Sequence, residues 1–212
     1  MTGARNADRI AEIIGAVVRQ ALADRGVSRI ALLDDGGPEA VLAGLILRNA
    51  LGPEAVISVD VFGGDPALLG HQSRVDRRRV NEEVRRMRAR LLDDVLPAHP
   101  ANKTALLLGG AMPPEPLLPL GDLWASEVIA IHDGWSASDE VEDLVWEAGG
   151  IDVMDGALRR LIEGRDASAL DALPAEVAAR VRTMLAAGSA ARRYPCIVPK
   201  LGGRTLFADL YE

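Results

Sequence analysis

Hydrophobic positions follow two different periods along this chain. Apolar residues recur every three or four positions near the start, which predicts an amphipathic helix over about 5–25. The apolar run RIALLD (29–34) follows; it is short and bounded by turn formers, so it predicts a buried strand. A second, strongly apolar helix, EAVLAGLILRNAL (39–51), is predicted to end at Gly52-Pro53.

The remainder of the chain repeats this order of strand and helix. AVISVDVF (55–62) predicts a second strand and KTALLLGG (103–110) a third. Helical spacing between them links Val80, Val84, Met87, Leu91 and Val95, and further helical patterns cover 120–131, 153–164 and 173–188. Strands that alternate with helices predict an α/β fold, a three-layer α/β/α sandwich with a parallel, Rossmann-like sheet. Ligands of such sheets bind beyond the carboxyl ends of the strands, so the loops after Leu33, Phe62 and Leu108 form the predicted binding region.

Composition narrows the class of protein. The 212 residues are 49% hydrophobic and 3% aromatic, so aliphatic side chains must build the core. A net charge of −7 argues against nucleic acid as the partner, and no apolar stretch reaches the roughly 18 residues of a membrane helix. The single cysteine, Cys196, excludes an internal disulfide. We expect one domain over 1–212, without a signal peptide, in a cytoplasmic protein.

The turn between the first strand and the second helix carries the main chemical question. Two glycines between a buried strand and a helix are typical of a phosphate-binding turn, yet Asp34, Asp35 and Glu39 repel phosphate. The turn lacks the Lys and Ser/Thr of the mononucleotide loop, and it is not a dinucleotide GxGxxG motif. A simple acidic turn, with Glu39 in the first turn of the helix, explains the pattern without a ligand.

Several segments resemble one enzyme family. Residues 35–40, DGGPEA, resemble Ser-Gly-Gly-x-Asp-Ser, the phosphate loop of ATP pyrophosphatases. NKTALLLGG (102–110) and PLGDLWASEV (119–128) resemble two segments of the ammonia-dependent NAD synthetases. EEVRRMRARLL (82–92), the segment 138–164 and SAARRYPCIVP (189–199) resemble others, in the family's order. The chain thus resembles a degenerate NAD synthetase, which implies the ATP pyrophosphatase fold.

The resemblance also implies a reaction and a site. Family members use ATP and Mg²⁺ to adenylate nicotinic acid adenine dinucleotide, and ammonia then completes the amide; the family is typically a homodimer. No glutaminase domain accompanies the synthetase-like one. The nucleotide-binding positions that carry over are Asp35, Gly36, Gly37, Glu39, Asn102, Lys103 and Arg193. Glu39 stands in place of a magnesium-binding Asp, one methylene longer, and is the weak candidate metal ligand.

The departures from the family pattern lie at positions that take part in the family's reaction. Asp35 and Ala40 replace serines of the phosphate loop, Pro100 replaces a threonine, and Ala105 replaces a second metal-binding Glu. The loop that contacts the dinucleotide is not recognisable at 111–115. We therefore predict a protein without normal NAD synthetase activity that acts as a nucleotide-binding or interaction homodimer, pairing through the apolar helix at 41–51. The alternatives are an active synthetase with rebuilt sites, a same-fold adenylating enzyme with another substrate, and a purely structural dimer.

Other features admit plainer interpretations. The arginine-rich stretch 74–90 suits either the phosphates of a dinucleotide, an acidic partner or a solvated helix face. The three histidines lack metal-ligand spacing. We predict that Trp124 packs inside a helix, and that Trp135 and Trp146 lie in the core, at an interface or at a ligand site. Asp152, Asp155 and Arg159 are predicted to be helix caps and surface pairs. Cys196 is predicted to be buried and inert.

Overall fold

The computed structural model describes residues 2–60, 94–109, 117–132, 134–135, 139–188 and 196–201. The strands are β1 (Arg29–Asp34), β2 (Val56–Asp60) and β3 (Val95–Ala98). The helices are α1 (Thr2–Arg25), α2 (Pro38–Leu51), α3 (Lys103–Leu108), α4 (Ala125–His132), α5 (Asp139–Glu147), α6 (Ile151–Ile162) and α7 (Ala175–Ala187). Short 3₁₀ turns occupy Pro53–Ala55 and Ala169–Ala172.

The three strands form a parallel sheet in the order β2-β1-β3. β1 lies in the centre, where Asp34 pairs with Asp60 on one side and Leu32 pairs with Ala98 on the other. Single parallel bridges continue the sheet beyond β3, from Ala98 to Leu117 and from Leu117 to Ile197. Helices flank this sheet, so the predicted α/β class with a parallel sheet is confirmed.

The first strand and helix follow from local sequence. β1 covers the whole apolar run RIALLD, as predicted, and both of its edges pair with a neighbouring strand. α2 ends as predicted at Gly52, whose φ of 92° lies in the region that glycine alone adopts readily, and Pro53 follows it.

Two predicted elements are wrong. KTALLLGG was expected to be a strand, but Lys103–Leu108 is helix α3, which begins at an Asn102 side-chain cap. Five of its six residues are buried, and a short apolar run buried all round shows no period that separates helix from strand. Val95, expected on the inner face of a helix, instead begins β3. The third strand end therefore lies after Ala98, not after Leu108.

The core has two parts. One is built by α1, α2 and the sheet, around residues such as Ile14, Leu32 and Leu47. The other is built largely by α3, α5, α6 and α7, around Leu107, Leu144 and Leu158. Trp124 belongs to the second part but precedes α4 instead of lying inside a helix, since the turn at 119–123 comes first.

Among the described residues, no helix combines the length and the apolar character that crossing a membrane would require.

Candidate functional site

The strand order fixes where a ligand could bind. From β1 the chain enters β2 on one side, and its next described strand, β3, lies on the other side of β1. The carboxyl ends of β1 and β3 therefore flank a topological switch point, the usual binding crevice of a parallel α/β sheet. The turn before α2 and the segment before α3 meet there, because Glu39 contacts Asn102.

The glycine turn after β1 uses its own acids as hydrogen-bond acceptors. Gly36 has a φ of 74°, and its amide donates to Asp34 Oδ1 at 3.1 Å. The amide of Gly37, which caps α2, donates to Asp35 Oδ1 at 3.0 Å. In a phosphate loop such amides point at phosphate oxygens. In this chain, carboxylates of the same turn take that place.

Glu39 and Asn102 form a buried pair across the crevice. The Asn102 side chain is fully buried and donates from Nδ2 to Glu39 Oε1 at 2.9 Å. Its Oδ1 accepts from the amide of Ala105 at 2.9 Å, which caps α3. Asn102 thus ties the first turns of α2 and α3 together. That the two residues bind a nucleotide stays a prediction; in the structure they contact each other.

The described residues do not fit a magnesium ion at Glu39. The carboxylate is only 4% exposed, and one of its oxygens already accepts from Asn102. Mg²⁺ prefers several oxygen ligands in octahedral geometry. In the described part of the chain, no three His, Cys, Asp or Glu side chains are grouped so that they could hold a metal.

Lys103 is buried in an ion-pair cluster. Its ammonium, 1% exposed, lies 3.2 Å from Asp122 Oδ1 and 3.2 Å from Glu163 Oε1. It also lies 4.7 Å from the centre of the Trp124 ring, and the indole Nε1 donates to the same Glu163 oxygen at 3.2 Å. The cation predicted to meet a nucleotide therefore contacts acids of its own chain.

A second buried network lies beside α3. The Thr104 hydroxyl donates to Asp155 Oδ1 at 2.6 Å and accepts from the amide of Ala125 at 3.0 Å. Asp155 Oδ2 accepts from the amide of Ser126 at 2.8 Å, at the start of α4. The prediction of a helix cap is confirmed for Asp155, but the carboxylate is buried and does not lie on the surface. By contrast, Arg159 forms the expected surface pair with Glu127.

The sequence contains a pattern that indicates the burial of Asp155. In α6, Met154, Leu158 and Ile162 form the buried face, and Asp155 follows Met154 on that face. An acid among apolar positions at helical spacing indicates a buried carboxylate with a partner. Asp122 and Glu163 gave no comparable signal, because their role depends on where Lys103 lies.

His99 lies beside the crevice. It follows β3, and its Nδ1 accepts from the amide of Ala101 at 3.1 Å. This contact places the proton of the neutral ring on Nε2. Sequence spacing predicted no metal site at the histidines, and His99 instead stabilises the turn that leads to Asn102.

Some of the other predicted positions lie outside the described residues, and two predicted tryptophans lie within them. Arg193, Arg192, the segment 111–115, the loop after Phe62 and the arginine-rich stretch 74–90 lie outside the described residues. Trp135 is half-buried against the second part of the core. Trp146, on α5, is 84% exposed.

Cys196 is expected to resist alkylation in the native protein. The thiol is half-buried, and burial raises its pKa to about 11, because the thiolate loses water. At about pH 8, labelling by iodoacetamide should be about 100-fold slower than for a thiol of pKa about 8.5, and it should accelerate as the pH approaches 11. Denatured protein is the control. Equal rates in the native and denatured states would contradict the buried position.

The described strands and helices define a parallel α/β protein. The structure is similar to that of the NH3-dependent NAD synthetase from Campylobacter jejuni, determined in complex with the nitrate ion. The TM-score is 0.56 at 16% sequence identity, and the match covers 92% of this chain and 98% of that one. No protein-family model and no curated protein sequence matches the chain. The chain therefore has the fold of NAD synthetase, as the sequence resemblance predicted.

Proposed function

We propose that this protein has the NAD synthetase fold without its normal activity and acts as a homodimer that binds an adenine nucleotide or another protein. One observation carries the proposal. The amides of Gly36 and Gly37, which a phosphate would need, donate to Asp34 and Asp35 of the same turn. A triphosphate entering there would have to displace two carboxylates and would then face their charge. Like charges about 4 Å apart near a surface cost about 4 kcal/mol.

Two further contacts support the loss of the parent reaction. Lys103 pairs with Asp122 and Glu163 inside the protein, so reaching a phosphate would mean breaking two buried ion pairs. Glu39 is held by Asn102, and the family's second metal-binding acid is Ala105 in this chain. Without a metal to offset charge, adenylation by ATP loses its main electrostatic support.

The exposed face of α2 supports the proposed homodimer. Val41 is 43% exposed and Leu45 is 48% exposed, one helical turn apart. Large apolar side chains that share an exposed helix face are typical of contact surfaces between proteins. This helix is the one whose apolar sequence predicted a dimer.

The parent activity gives a direct test. The protein is incubated with ATP, Mg²⁺, ammonia and nicotinic acid adenine dinucleotide, and the formation of AMP and NAD is followed. We expect neither product above background, whereas an active NH3-dependent NAD synthetase run in parallel should form both. Turnover at about 1 per second, an ordinary enzymatic rate, would contradict the proposal.

Ligand binding is tested separately by thermal unfolding with ATP, AMP and NAD. A ligand at 100 times its Kd adds about 2.7 kcal/mol of stability, which raises the midpoint by roughly 5–10 °C for a chain of this size. A shift identifies a nucleotide-binding protein, and no shift at millimolar ligand leaves the interaction homodimer. The matched variant is Asp35→Ser, which removes one carboxylate from the turn and should bind ATP more tightly than the wild type.

A further inference from the structure

The most exposed large apolar side chain among the described residues lies on a helix whose opposite face belongs to the core. Trp146, on α5, is 84% exposed, while Trp124 is 2% exposed. Tryptophan is rarely left so open to water, and at interfaces it is among the residues that contribute most to binding. Val153, in the first turn of α6 after the turn at Gly149-Gly150, is 45% exposed and adds apolar surface nearby in the chain.

The sequence around Trp146 is acidic, and one of its acids, Glu147, pairs with Arg180 of α7. The sequence of α5, DEVEDLVWE, contains five acids and no basic residue. Glu142 and Asp143 lie four and three positions before Trp146, on the same exposed face of the helix. Asp152, beside Val153, is also exposed. We call Glu142, Asp143 and Trp146 the Trp146 face.

An arginine-rich polypeptide matches this combination. A guanidinium group stacks on an indole ring and pairs with carboxylates at the same time, which an ammonium does less well. The chain itself carries such a sequence in residues 74–90, with eight arginines and three acids, although the whole chain has a net charge of −7. A second copy of the chain can supply this segment.

We propose that residues 74–90 of one copy bind the Trp146 face of another copy. The contact joins different surfaces of the two copies, so it closes a pair when each copy gives its segment to the other and builds a longer assembly when it does not. This inference goes beyond the proposed function and does not depend on it, because no residue of the Trp146 face belongs to the crevice at β1 and β3 or to the exposed face of α2.

The binding test uses a synthetic peptide of residues 74–90 titrated into the full chain at low salt, with tryptophan emission as the signal. We expect a saturable change that disappears in Trp146→Phe, which assigns it to this indole and not to Trp124 or Trp135. Asp143→Lys should weaken binding about tenfold. Glu54→Lys, at an exposed acid on another part of the chain, makes the same change in net charge and should weaken it less than about threefold.

Sedimentation of the full chain tests the second copy as the source. The average mass should rise with concentration, should fall in about 1 M salt, and should be lower in Trp146→Ala but unchanged in Glu54→Lys. No emission change with millimolar peptide, or equal weakening by Asp143→Lys and Glu54→Lys, would overturn the Trp146 face as a specific site. Peptide binding by a chain whose average mass is the same with and without Trp146→Ala at every concentration would overturn the second copy and assign the face to an arginine-rich segment of a different protein.

Discussion

Replacing Lys103 by methionine is expected to lower the free energy of unfolding by about 3–5 kcal/mol. Methionine keeps much of the length and the apolar stem of lysine but removes the charge. Asp122, whose side chain is fully buried, would then lose the ammonium that lies 3.2 Å away. Removing one partner of a buried ion pair is among the most costly changes in a folded protein.

Urea unfolding followed by circular dichroism measures this loss. Arg159→Met is the matched control, because Arg159 also lies against the Trp124 ring, at 5.5 Å, but is 44% exposed and pairs at the surface with Glu127. That change should cost no more than about 1 kcal/mol. Adding Asp122→Asn to Lys103→Met should cost much less than the sum of the single changes. A loss below about 1 kcal/mol for Lys103→Met would show that the ion pairs are not formed in solution.

The parts of the fold that sequence could predict are those whose pattern is determined locally. RIALLD is bounded by turn formers, and α2 begins with Pro38 and ends at Gly52, so both are marked within a few residues. Lys103–Leu108 and Val95–Ala98 carry no such marks. Each is a short, apolar, largely buried run, and only packing against distant elements decides whether it is a helix or a strand.

The candidate site also has features that local sequence predicts and features that it does not. The positions of Gly36 and Gly37 after a strand, and their amides at the start of a helix, follow from sequence. The partner of Lys103 does not, because Asp122 and Glu163 are 19 and 60 positions away and nothing local links them. The resemblance predicted a lysine at a nucleotide, and the folded chain surrounds that lysine with carboxylates. Similarity of fold therefore did not predict which groups this lysine would contact.

Changing Asn102 to alanine is expected to lower the free energy of unfolding by about 2–4 kcal/mol. The side chain makes two contacts at once: it caps α3 through Ala105 and donates to the buried carboxylate of Glu39. Loss of an N-cap costs about 1 kcal/mol, and loss of a hydrogen bond to a charged group about 1.5–3 kcal/mol. Chemical unfolding at neutral pH measures the sum.

Two other substitutions separate these contacts. Asn102→Ser keeps a cap but is too short to reach Glu39, so it should recover only about 1 kcal/mol of the loss. Asn102→Asp keeps the cap but sets a second carboxylate against Glu39, where the amide now lies at 2.9 Å. Protonating either acid relieves that repulsion, so this variant should be less stable at about pH 8 than at about pH 5, relative to the wild type. If Asn102→Asp matched the wild type at both pH values, the two side chains would not be in contact, and the crevice between β1 and β3 would be free to take a ligand at Glu39.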